Sequence, residues 1–168
     1  MPGRSFYHRM LPLTMVEHPA EPPPLPHAGS PLLIIQDGAA VPAAGFSRPV
    51  GVIKVADSRR ALLKLAGAYR RTLESTRVIA VAGSNGKTTT TRLIHAILSP
   101  RMRGTVSQKS FNNDVGVPLT ILSAKATDQY LLCEVGTNHP GEIAALAQVV
   151  DPGIATVEAK VSVDGRVV

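Results

Sequence analysis

Apolar residues fall along this chain in two rhythms. Short continuous runs mark buried strands, and spacings of three and four mark helices with one covered face. The run Leu32-Leu33-Ile34-Ile35 predicts a strand, ended by the turn pair Asp37-Gly38. Residues 50–55 predict a second strand. Asp57 then predicts the N-cap of a helix running to about Leu73. Ala61, Leu62, Leu65, Ala66 and Tyr69 form its apolar face, and Arg59, Arg60, Lys64, Arg70 and Arg71 cover the other side. From Arg77 the pattern sharpens. Residues 78–82 are continuously apolar, as in parallel strands covered on both faces. Residues 88–98 predict a helix with Leu93, Ile94, Ile97 and Leu98 inward, stopped by Pro100. Residues 104–108 predict a strand, 116–123 a helical or turn-rich apolar run, and 130–135 another buried strand. Residues 140–150 predict a helix with Pro140 in its first turn and Ile143, Leu146, Ala147 and Val150 inward. Residues 154–157 begin a further strand. Strands alternating with helices imply a parallel, helix-covered α/β sheet. No internal repeat is visible.

Residues 1–31 break the pattern with Pro19, Pro22, Pro23, Pro24, Pro26 and Pro31. Proline removes backbone donors and fixes φ, so residues 1–30 read as a flexible, disordered leader. The apolar piece at 10–16 is interrupted by Pro12 and lacks a small-residue cleavage site, so it is not read as a signal peptide. The 168 residues are 44% apolar and 18% charged, a soluble globular composition that excludes disorder throughout. No apolar run approaches the roughly 18 residues of a membrane span. A single cysteine, Cys133, excludes an intrachain disulfide and a Cys-rich metal site, and fits a reducing, cytoplasmic setting. Charge is uneven. Residues 1–110 carry 15 Lys and Arg against 5 Asp and Glu, whereas residues 111–168 carry 3 against 7. A basic half beside an acidic half suits a polyanionic small ligand held with a metal ion. Nucleic acid is disfavoured, because aromatics are only 4% and no basic run is interleaved with stacking residues.

Four segments carry candidate chemistry. Gly83-Ser84-Asn85-Gly86-Lys87-Thr88 lies between a buried strand and a helix. Glycines let backbone N–H groups approach phosphate oxygens, and the helix N-terminus adds unpaired donors. Lys87 supplies a charge for the outer phosphates, and the Thr88 hydroxyl can coordinate Mg²⁺. The usual phosphate-loop spacing would put a glycine where Val81 stands, so the loop is the shorter Gly-x-x-Gly-Lys-Thr. The alternative is a chance glycine-rich turn. Glu134, near the carboxyl end of a buried strand, is costly unless paired or metal-bound. It is placed to hold Mg²⁺ or else to cap a helix or pair with a lysine. Asn112 and Asn113 either form a turn or direct amides at a phosphate or substrate oxygen. His139, in Asn138-His139-Pro140-Gly141-Glu142, either caps a helix or contacts substrate as a general base. Cys133 reads as an inert core thiol.

Taken together these segments resemble the Mur ligases of peptidoglycan synthesis. The loop through Thr89 and Thr90 has that family's shortened spacing. The segments 111–120 and 134–143 look like the branch that adds D-alanyl-D-alanine. The resemblance covers about residues 31–157. It implies an ATP-dependent amide ligase in which an acceptor carboxylate attacks the γ-phosphate of ATP. The acyl phosphate so formed is then attacked by the amine of D-alanyl-D-alanine, with a UDP-N-acetylmuramoyl tripeptide as acceptor. It further implies ATP bound by Gly83, Ser84, Asn85, Gly86, Lys87, Thr88 and Thr89, and Mg²⁺ held by Thr88 and Glu134. Catalytic roles fall to Lys87, Asn113 and His139, with Asn112 assisting Asn113.

The same resemblance implies a P-loop-type parallel sheet with flanking helices over residues 77–168, as part of the family's central ATP-binding domain. Residues 31–76 would be part of its UDP-sugar-type N-terminal domain. Asp57-Ser58-Arg59 spells a family signature at the wrong place and inherits no role, and neither does Lys160, which has no motif around it. The chain lacks counterparts of the family's remaining segments and is expected to be a truncated, inactive form. Two alternatives stand beside this reading: a free-standing MgATP-binding module without turnover, and a folylpolyglutamate-type amide ligase.

Overall fold

A computed structural model describes residues 15–16, 32–39, 49–108, 111–136, 142–158, 162–163 and 166–167. The chain divides into two units, Met1–Ala61 and Leu62–Val168.

In the first unit, β1 (Met15–Val16), β2 (Leu32–Gln36) and β3 (Gly51–Val55) form a parallel sheet in that order. Alternation along β2 buries Leu33 and Ile35. The Asp37 N–H donates to the Val55 carbonyl at 2.8 Å, and Gly38 takes the turn at φ 85°. Met15 and Val16 lie within the stretch read as a leader, yet they pair with Ile34 and Ile35. The rest of that stretch lies outside the described residues. α1 (Ser58–Thr72) starts where the sequence places it, with Asp57 Oδ1 accepting from the Arg60 N–H at 2.9 Å.

The second unit is built on β4 (Arg77–Gly83), α2 (Lys87–Leu98), β5 (Gly104–Val106), α3 (Gly116–Ser123), β6 (Tyr130–Val135), α4 (Glu142–Val150) and β7 (Ile154–Glu158). Its four strands are parallel, in the order β5-β6-β4-β7. β8 (Ser162–Val163) and β9 (Arg166–Val167) form a separate antiparallel pair. The two-residue period of the strands sorts the core onto the two faces of the sheet. Val81, Tyr130 and Leu132 pack with Ile94 and Leu98 of α2. Val78, Ala80, Leu131, Cys133 and Val135 pack with Ala66 and Leu73, with Val117 and Ile121 of α3, and with Leu146 and Val150 of α4. Both faces are covered, which is why β4 and β6 are apolar almost throughout. The Arg70 guanidinium closes the end of α4 by donating to the Val150 carbonyl at 3.0 Å and the Asp151 carbonyl at 2.9 Å.

Three helical faces differ from expectation. On α2, Leu93 and Ile97 are 60% and 72% exposed, and Thr91 is buried in their stead. On α4, Ile143 and Ala147 are exposed while Leu146 and Val150 are buried. Leu65, assigned to the covered face of α1, is also exposed.

β4 leads through α2 to the far edge at β5, while β7 lies on the other side of β4. The order of connection therefore reverses across β4. In open parallel sheets the ligand crevice forms at that point, outside the carboxyl ends of the strands.

Candidate functional site

The chain leaves β4 at Gly83 (φ 149°), turns through Gly86 (φ 77°) and enters α2 at Lys87. Both φ values lie where a Cβ is disfavoured, so the loop needs glycine at these two places. No side chain caps α2, and its first turn carries no acidic residue. The first backbone N–H groups of the helix are thus left to whatever anion sits beside them. Lys87 folds back over the loop, its Nζ donating to the Gly83 carbonyl at 2.7 Å.

Strand alternation supplies the opposite wall. Glu134 follows Tyr130 and Leu132 on the face of β6 that meets α2, and it is only 3% exposed. Its Oε2 accepts from Thr88 Oγ1 at 2.9 Å, and its Oε1 accepts from Asn112 Nδ2 at 3.1 Å. The Glu134 N–H donates to Ser107 Oγ at 2.9 Å, which ties the strand end to the segment after β5. Residues 84–89, Asn112 and Glu134 surround a polar cavity of about 310 Å³.

Of the residues singled out in the sequence, Ser84, Asn85, Gly86, Lys87, Thr88, Thr89 and Glu134 line this cavity, and Gly83 supplies the carbonyl under Lys87. Asn113 forms a turn with its side-chain oxygen, one of the two readings its sequence setting allows. Its Oδ1 accepts from the Gly116 N–H at 2.8 Å and the Val115 N–H at 3.3 Å, capping the turn into α3. Asn112, given only an assisting role, is the amide that reaches the cavity. His139 lies outside the described residues. Sequence reasoning missed Ser107, and it set Gly136 beside Glu134 without giving the glycine a role.

The donor set suits a hard cation. Thr88 and Glu134 present oxygen ligands, and the hydrogen-bond donors described for the Glu134 carboxylate are neutral. A buried carboxylate in that setting is costly unless a cation offsets it. Among the described residues no group of three or more His, Cys, Asp or Glu could hold a metal by itself. Magnesium commonly takes only one or two protein ligands and completes its shell with water and phosphate oxygens. Cys133 stands one residue from Glu134 but on the opposite face, fully buried, and burial pushes its thiol up to about 12.

A polar cavity at a glycine loop, lined also by a strand carboxylate, is the geometry to set beside known proteins. Residues 81–159 match the Mur ligase middle domain. That match contains the loop, Asn112 and Glu134. The UDP-N-acetylmuramoyl-tripeptide–D-alanyl-D-alanine ligase of Bacillus subtilis is 42% identical over 106 residues, 63% of this chain and 23% of that protein. The ligase of the same name from Escherichia coli is 36% identical over 115 residues, 66% of this chain and 25% of that protein. The chain thus spans about a quarter of the length of these Mur ligase relatives. Among solved structures, MurF from Acinetobacter baumannii superposes with a TM-score of 0.65 at 34% identity, over 74% of this chain and 26% of that one. MurF from Thermotoga maritima, solved in complex with ADP, superposes with a TM-score of 0.59 at 28% identity, over 74% and 27%. The parallel α/β architecture expected from the sequence is the one these neighbours share.

Proposed function

We propose that this chain binds MgATP in the cavity between residues 83–89 and Glu134, and that the site serves an ATP-dependent ligase. That ligase joins D-alanyl-D-alanine to a UDP-N-acetylmuramoyl tripeptide in the cytoplasm. The observation that carries the proposal is the 2.9 Å contact between Thr88 Oγ1 and the buried Glu134 carboxylate at the mouth of a strand–glycine loop–helix unit. The names of the relatives supply the substrates.

The residues divide the work by charge and position. The N–H groups at the start of α2 cradle phosphate oxygens. Lys87, released from the Gly83 carbonyl, places a positive charge against the γ-phosphate as negative charge develops there. Thr88 and Glu134 would hold Mg²⁺, which neutralises phosphate charge when bound. The acceptor carboxylate attacks the γ-phosphorus and ADP leaves. The dipeptide amine then attacks the acyl phosphate carbonyl, loses a proton and expels inorganic phosphate. His139 keeps the role its sequence setting implies, contact with substrate or acceptance of that proton.

Calorimetric titration of the 168-residue chain with ATP in the presence of Mg²⁺ tests the nucleotide site. Saturable one-to-one binding is expected, weakened about tenfold or more by Lys87→Ala, which removes a charge-assisted contact to phosphate. Equal binding by both proteins would contradict the assignment. Phosphate release that requires the UDP-linked tripeptide and the dipeptide together would support the ligase. Binding without such release would favour a nucleotide-binding module.

A further inference from the structure

The two oxygens of Glu134 have separate partners, Oε2 on Thr88 and Oε1 on Asn112. Thr88 belongs to the phosphate loop, but Asn112 reaches the carboxylate from a different segment, just before α3. Its backbone is fixed independently, because the Asn112 carbonyl accepts the Gly136 N–H at 2.6 Å. The Asn112 side chain then lies flat against Gly136. A Cβ at residue 136 would stand 2.9 Å from Asn112 Cγ, 3.0 Å from Nδ2 and 3.3 Å from Oδ1, and the three nearest atoms it meets all belong to this amide. Gly136 has no left-handed φ to demand glycine. The missing side chain makes room for one neighbouring amide.

We propose that Asn112 is a positioning residue for the metal-binding carboxylate: seated on Gly136, its amide holds Glu134 Oε1 so that Oε2 is presented to Thr88 and to the cation. The inference rests on the MgATP reading above. It differs from a direct role of Asn112 on phosphate in what it requires. A carboxylate held by one donor has a fixed direction, and partners of this kind change metal affinity by about 10–100-fold when removed. An amide that touched phosphate directly would strengthen nucleotide binding with or without metal.

The discriminating quantity is the ratio of ATP affinity with Mg²⁺ to ATP affinity without it, measured by calorimetry on the 168-residue chain. In Asn112→Ala this ratio is expected to fall about tenfold or more. Asn112→Leu keeps the branched shape and removes the donor, so it is expected to fall equally, whereas a packing role would leave it near the wild-type value. Gly136→Ala pushes the amide off its seat and is expected to lower the ratio as well. The double variant Asn112→Ala/Gly136→Ala is expected to be no worse than Asn112→Ala, because the side chain that residue 136 would strike is gone. Three results would overturn the proposal: an unchanged ratio with both affinities lowered together, a normal ratio in Asn112→Leu, or additive losses in the double variant. Absence of any Mg²⁺ enhancement in the wild-type chain would overturn it together with the MgATP reading, and so separates the two failures.

Discussion

At the residue scale, two adjacent asparagines meet different partners. Asn113 points its oxygen at backbone N–H groups of the turn into α3, and Asn112 points its nitrogen at Glu134. Local sequence leaves both open as turn formers or as phosphate or substrate contacts, and only the folded chain gives each its partner. Glu134 was legible, because a carboxylate at the end of an otherwise apolar strand has few uses. Its neighbour Cys133 behaves as the inert thiol that its surroundings imply. Its value of about 12 stands above the ordinary 9.0, so the folded state retains a proton that the unfolded chain gives up. The corresponding stability is fully present below about pH 9 and is lost as pH rises towards about 12. Tyr130 is shifted in the same direction by burial and by Asp128. Urea midpoints should therefore fall across that alkaline window, and fall less steeply in Cys133→Ala. A parallel pH slope in the two proteins would show that the thiol takes no part.

At the element scale, strands were more legible than the faces of helices. A continuous apolar run such as residues 78–82 has one reading once a glycine loop follows it. α2 offers two neighbouring apolar stripes about 100° apart, Leu93 with Ile97 and Ile94 with Leu98. The sheet covers the second stripe together with Thr91, and a polar residue at the buried position hides that choice from a hydrophobicity count. The burial of Thr91 has a cost. Its Oγ1 has no hydrogen-bond partner among the described residues. A hydroxyl buried without a partner costs on the order of 1–3 kcal/mol. Thr91→Val keeps the shape and removes the hydroxyl, and it is expected to raise unfolding stability by about 1 kcal/mol in denaturant titrations. A loss of that size would mean that the hydroxyl is satisfied in solution.

At the scale of the whole molecule, three motifs far apart in sequence converge because a parallel sheet brings the carboxyl ends of its strands to one edge. β4 delivers the loop, β6 delivers Glu134, and the segment before α3 delivers Asn112. The loop and Glu134 could be read one at a time from local pattern. Their meeting could not, since strand order and register are properties of the assembled sheet, with Val81 opposite Glu134. The uneven charge found in the sequence takes on a local form here, with Lys87 and Glu134 both lining the cavity. The central claim is that MgATP occupies this cavity, and amide hydrogen exchange with and without MgATP tests it most directly. Slowed exchange is expected at residues 84–89 and at the end of β6 around Glu134, with β2 and β3 unchanged. Nucleotide binding with no protection at the loop, or with protection centred elsewhere, would contradict it.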